Sequence, residues 1–88
     1  MEGKVKELLE GSLDDLNLVV DSVVLEKEGQ ELFLRICLDS EEVIDLDKVV
    51  QATNIINPIM DKADLIEEKY ILEVYGKSKG SKLDEKEN

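Results

Sequence analysis

The sequence predicts an α+β fold in the order α-β-β-α-β, with two helices packed on one face of a three-stranded mixed sheet. Three observations lead there. The chain has 88 residues, room for one small domain. Its apolar residues fall into five runs, two at helical and three at strand-like spacing. The break Glu28-Gly29-Gln30 separates two β-rich runs, as a hairpin requires. Hydrophobic residues make up 42% of the chain, enough for a core, and Phe33, Tyr70 and Tyr75 are its only aromatics, so that core must be aliphatic.

Residues 2–16 place Val5, Leu8, Leu9, Leu13 and Leu16 at helical spacing with charged residues between them, which predicts an amphipathic helix. Residues 18–27 are rich in Val and predict a strand. Residues 31–39 alternate Leu32, Leu34, Ile36 and Leu38 with Phe33, Arg35 and Cys37, a second strand. A 3.6-residue repeat then runs through Leu46, Val49, Val50, Thr53, Ile56 and Met60. Asp45 suits its N-cap, and Asp47 suits the positive end of the helix dipole. Pro58 lacks a backbone donor, so the helix is expected to kink or break near Asn54 to Asn57. A last strand is predicted over residues 69–75. The domain is expected to occupy 1–76, and 77–88, where Leu83 is the one aliphatic residue, reads as a disordered charged tail.

By alternation, the sheet face away from the helices is expected to carry Val19, Val23, Leu25, Phe33, Cys37, Ile71 and Tyr75, diluted by Asp21, Arg35 and Glu73. An uncovered apolar face of that kind reads as an interaction surface.

Charge and composition narrow the function. Asp and Glu number 22 against 11 Lys and Arg, a net charge of -11. Such a surface repels nucleic-acid backbones and attracts a basic protein. The chain has no His, and Cys37 is its only Cys, which excludes an intramolecular disulfide, a Cys/His zinc site and a His general base. No apolar run approaches the roughly 18 residues of a membrane span, and the first residues carry no signal-peptide pattern. The expectation is a cytoplasmic domain that needs no cofactor.

Candidate motifs fail on spacing. Gly76-Lys77-Ser78 resembles the end of a phosphate-binding loop, but Ile71 stands where the earlier glycine belongs and no helix follows. Asp39, Glu41, Glu42, Asp45 and Asp47 suggest a calcium loop until Ile44 occupies the turn-glycine position and Val50 the bidentate-Glu position. These acids suit docking of a partner's Lys and Arg instead. The element order is loosely similar to KH-type RNA modules, yet none of the five glycines forms Gly-x-x-Gly. Without a nucleophile, cofactor loop or oxyanion arrangement, the carboxylates do not make an enzyme.

Several segments together resemble the N-terminal domain of the bacterial ribosome maturation factor RimP family: Val19-Val20-Asp21, Leu34-Arg35-Ile36-Cys37-Leu38-Asp39, Ile44-Asp45-Leu46-Asp47, Asp64-Leu65-Ile66 and Tyr70-Ile71-Leu72-Glu73-Val74. The resemblance covers about residues 4 to 75. It implies a non-enzymatic factor that binds the free small ribosomal subunit and assists its late assembly. It also implies a basic ribosomal protein near the decoding centre as the main partner, with direct RNA contact secondary. The family usually continues with Ser-Ser-Pro-Gly and an SH3-like barrel, where this chain reads Tyr75-Gly76-Lys77-Ser78-Lys79-Gly80. A shortened member, a single-domain paralogue or a truncated chain would each read this way.

Asp21, Asp39, Asp45 and Asp47 are the acidic positions expected to meet basic groups of a partner. Their ordinary duties would be solvation for Asp21, turn formation for Asp39 and capping for Asp45. The alternative is a generic acidic interaction or homodimerisation module using the open sheet face around Val23, Phe33, Cys37 and Tyr75, with the chain otherwise a monomer or weakly self-associating.

Overall fold

The computed structural model describes residues 1–77. Its elements are α1 (Glu2–Leu9), β1 (Val19–Glu28), β2 (Glu31–Asp39), α2 (Leu46–Ala63) and β3 (Ile71–Gly76), in the predicted order α-β-β-α-β. β2 lies at the centre of the sheet, antiparallel to β1 and parallel to β3. Glu28 pairs with Glu31, which leaves Gly29 and Gln30 as a two-residue turn. Gly29 has φ +64, which a hairpin turn with glycine at its first position needs.

Because β2 is flanked on both sides, its inward side chains Leu34, Ile36 and Leu38 are fully covered. They pack with Val5 and Leu9 of α1, Leu13, Leu18 and Val23, and Ala52, Ile56 and Met60 of α2 in one aliphatic core. Both helices therefore sit on the same sheet face. The outer edge of β1 is partly covered from α1, where the Glu2 carboxylate accepts a hydrogen bond from the Leu25 N–H at 2.7 Å. Among the described residues no helix is long and apolar enough to cross a membrane.

Three sequence expectations need correction. The first helix ends at Leu9, not Leu16. Gly11 takes φ +83, and Ser12 Oγ donates to the Leu9 carbonyl at 2.6 Å. A short 3₁₀ turn, Asp14–Leu16, then closes on Asn17 in the left-handed region. Leu13 still reaches the core, so its spacing reported burial correctly and helical continuity wrongly.

Pro58 does not break α2, which runs unbroken from Leu46 to Ala63. Asn54 and Pro58 are both exposed, so the Asn54 carbonyl that loses its N–H partner is open to water.

The third correction concerns β1. Val20 pairs with Leu38 but Ser22 pairs with Cys37, so Asp21 is the extra residue of a β-bulge. Beyond it the alternation is inverted. Val23 and Leu25 face the core, and Ser22, Val24, Glu26 and Glu28 share the open face with Phe33, Arg35 and Cys37. The expected tail begins at Lys77, whose N–H still donates to the Leu38 carbonyl at 2.6 Å. The rest of it lies outside the described residues.

Candidate functional site

The acidic segment between β2 and α2 is fixed by its own side chains. Asp39 ends β2 and accepts a hydrogen bond from the Ser40 N–H at 2.8 Å. Ser40 is buried, and its hydroxyl accepts from the Glu42 N–H at 3.1 Å, which turns the chain. Ile44 packs inward against the end of β3, where a Cβ on Gly76 would lie 3.0 Å from its Cβ and Cγ2. Asp45 then caps α2, accepting from the Lys48 N–H at 2.9 Å. With Ser40 and Ile44 turned in, Glu41, Glu42 and Val43 are held outward in solvent.

The opposite wall comes from the turn before β1. Together the walls enclose an open cleft of about 570 Å³ lined by Asp14, Asn17, Leu18, Val19, Asp39, Ser40, Glu41 and Glu42. Four of these are carboxylates and none is basic. Lys48 ties the walls together from beside the cleft. Its ammonium donates to the Leu16 carbonyl at 3.2 Å and lies 3.7 Å from the Glu42 carboxylate. Such a site can attract and orient cationic groups. Among the described residues no set of three or more His, Cys, Asp or Glu is arranged to hold a metal ion.

The open sheet face is built differently. At its centre the Arg35 guanidinium meets Glu28 at 2.9 Å, Glu73 at 2.8 Å and Glu26 at 3.7 Å, and lies 4.7 Å from the centre of the Phe33 ring. The hydrogen bonds to Glu28 and Glu73 raise the Arg35 pKa, and the same contact with Arg35 holds the Glu28 carboxyl below its ordinary value. This face carries a cluster of ion pairs at the centre of what was expected to be an apolar face diluted by Asp21, Arg35 and Glu73. At the bulge end the Asp21 carboxylate lies 3.6 Å from the Lys77 ammonium. Burial first, and then the Asp21 charge, push the Cys37 thiol pKa up.

The structure thus sorts the sequence-derived site residues into two groups. Asp39, Asp45 and Asp47 belong to the acidic end, with Asp47 exposed in the first turn of α2. Phe33, Tyr75 and Asp21 belong to the open sheet face and its bulge. Phe33 lies beneath Arg35, Tyr75 is exposed, and Asp21 faces Lys77. Sequence reasoning missed the Asp14, Asn17 and Val19 wall, because a continuous first helix would have carried Asp14 elsewhere. Gly11, followed by two acids and Asn17, was the available sign of a turn there.

A family model described as RimP N-terminal domain matches residues 8–78, most of the chain, from the last turn of α1 through β3.

Proposed function

The chain belongs to the RimP N-terminal domain family, a family of ribosome maturation factors, and from that membership we propose that it acts without catalysis in the late assembly of the small ribosomal subunit. Family membership is the observation that carries this reading. In it the chain binds the free small subunit in the cytoplasm and needs no cofactor. Its main contact is a basic ribosomal protein near the decoding centre, and RNA contact is secondary. The acidic cleft and the first turn of α2, with Asp39, Asp45 and Asp47, supply the binding surface.

Physical chemistry supports the assignment of charge. A net charge of -11 concentrates basic partners near the surface and speeds encounter at low salt. An assembly factor can shift a folding equilibrium only by binding one state better than another. An acidic cleft that fits one placement of a basic segment would do so. The Arg35 cluster argues against the sheet face as the main docking surface, since its three carboxylates are already engaged by Arg35 within the chain.

The test is co-sedimentation of the chain with purified free small subunits, large subunits and bare ribosomal RNA over a salt series. Binding confined to the small subunit and weakening as salt rises is the expected result. Equal binding to bare RNA, or none to any particle at low salt, would overturn the reading.

A further inference from the structure

We infer that the exposed aliphatic ridge at the start of α2, formed by Val43, Leu46 and Val50, docks a Lys/Arg-rich protein segment that carries aliphatic anchors of its own. The inference rests on the ribosomal reading for where such a segment comes from, and on the surface itself for its chemistry.

Val43 is 80% exposed, Leu46 75% and Val50 50%. Single surface aliphatics are ordinary, but these three crowd one short segment. Leu46 and Val50 stand one helical turn apart and so share a face of α2, and Val43 leads into it. None of the three is needed to hold the segment in place. Ile44 anchors the loop inward, Asp45 caps the helix, and Ala52, Ile56 and Met60 make the inward stripe. The ridge is therefore apolar surface that the core does not use.

Charge selects its occupant. Glu41, Glu42, Asp45 and Asp47 are interleaved with the three aliphatics, and all four are exposed. The neighbouring cation, Lys48, has its ammonium directed to Leu16 and Glu42. Nucleic acid and acidic proteins are repelled by this arrangement, and so is a second copy of a chain with net charge -11. A basic segment with aliphatic side chains satisfies both parts of the surface at once: its cations face the carboxylates, and its apolar groups cover the ridge.

The test is an NMR titration of the full chain with two synthetic peptides of equal charge, one an amphipathic helix with Leu at positions i, i+3, i+4 and i+7 among Lys, the other oligolysine. The ridge predicts methyl shifts at Val43, Leu46 and Val50 with the amphipathic peptide, and affinity for oligolysine weaker by about tenfold. The combined Val43→Ser, Leu46→Ser, Val50→Ser variant should lose about tenfold in affinity for the amphipathic peptide, with its thermal unfolding little changed. Mapping on the wild-type chain keeps the test decisive if that variant folds poorly. Equal affinity for the two peptides, shifts confined to the open sheet face around Val24 and Ile71, or no binding at low salt would each overturn the inference. Sedimentation with small subunits separates the two claims. A serine variant that binds subunits as the wild type does sinks the ridge and leaves the ribosomal reading standing. Wild type that binds the amphipathic peptide at the ridge but no subunit does the reverse.

Discussion

Replacing Gly76 with alanine tests whether the acidic loop is anchored by contact with β3. The new Cβ would lie 3.0 Å from Ile44 Cβ, 3.0 Å from Cγ2 and 3.3 Å from Cδ1. Carbon atoms in contact prefer about 3.5–4.0 Å, so Ile44 must give by a few tenths of an ångström. Overpacking of this kind costs about 1–3 kcal/mol. Alanine also restricts the unfolded chain, which offsets about 0.4–1 kcal/mol of that cost. The net expectation is a loss of about 1–2 kcal/mol, or a Tm lower by about 5–15 °C for a domain of this size. Urea denaturation and thermal scans would measure it. Ile44→Ala removes two of the three clashing atoms, so a double-mutant cycle should show Gly76→Ala costing less in that background. A neutral or stabilising Gly76→Ala, or two substitutions that simply add, would refute the anchoring argument.

Three further predictions follow from named contacts. Asp45→Ala removes the cap on the Lys48 N–H and should cost about 1 kcal/mol in urea denaturation; a larger loss of subunit binding than of stability would assign Asp45 to the interface as well. The Arg35 contact lowers the Glu28 pKa in the folded state, so its stabilising contribution is present above the unfolded carboxyl value and is lost as pH falls through the folded one; the Tm difference between wild type and Glu28→Gln should hold at neutral pH and shrink toward zero in acid. Cys37 is buried and its thiol pKa is raised, so it should react with a disulfide reagent at neutral pH far more slowly than free cysteine, and its rate should rise to the free value on unfolding.

The element order was legible because the helical runs opened at a 3.6-residue spacing and the strand runs were rich in β-branched and other large apolar residues and bounded by turn or charged residues. The hairpin turn and the Asp45 cap were legible because their chemistry is local: one glycine at positive φ, one carboxylate three residues before a backbone N–H. What escaped depends on contacts between elements or on a single backbone deviation. The bulge at Asp21 leaves no mark in the hydrophobic pattern, since Val23, Val24 and Leu25 are apolar on either parity, yet it exchanges the two faces of β1 from Ser22 onward. The placement of β2 between β1 and β3 is set by helix packing and could not be read from any one segment. The acids of the 39–47 loop were visible as a charge run. Their opposite wall was not, because Gly11 and Asn17 had first to turn the chain back.

The two charged regions of this surface differ in how their charges are used, and that difference decides how each can respond to a partner. Around Arg35, three carboxylates converge on one guanidinium at distances from 2.8 to 3.7 Å, so a partner must displace existing ion pairs before making new ones. Desolvating and separating such pairs offsets most of what a replacement contact returns. At the acidic end, Glu41 and Asp47 are exposed beside aliphatic surface that is equally exposed, so a basic partner adds contacts there without first breaking any at the ridge itself. Salt screens the first kind of attraction and leaves the apolar kind intact. Binding carried by charge alone falls continuously as salt rises. Binding carried by the acidic end and its ridge together falls at first and then levels at a residual affinity, and only the aliphatic substitutions remove that residue.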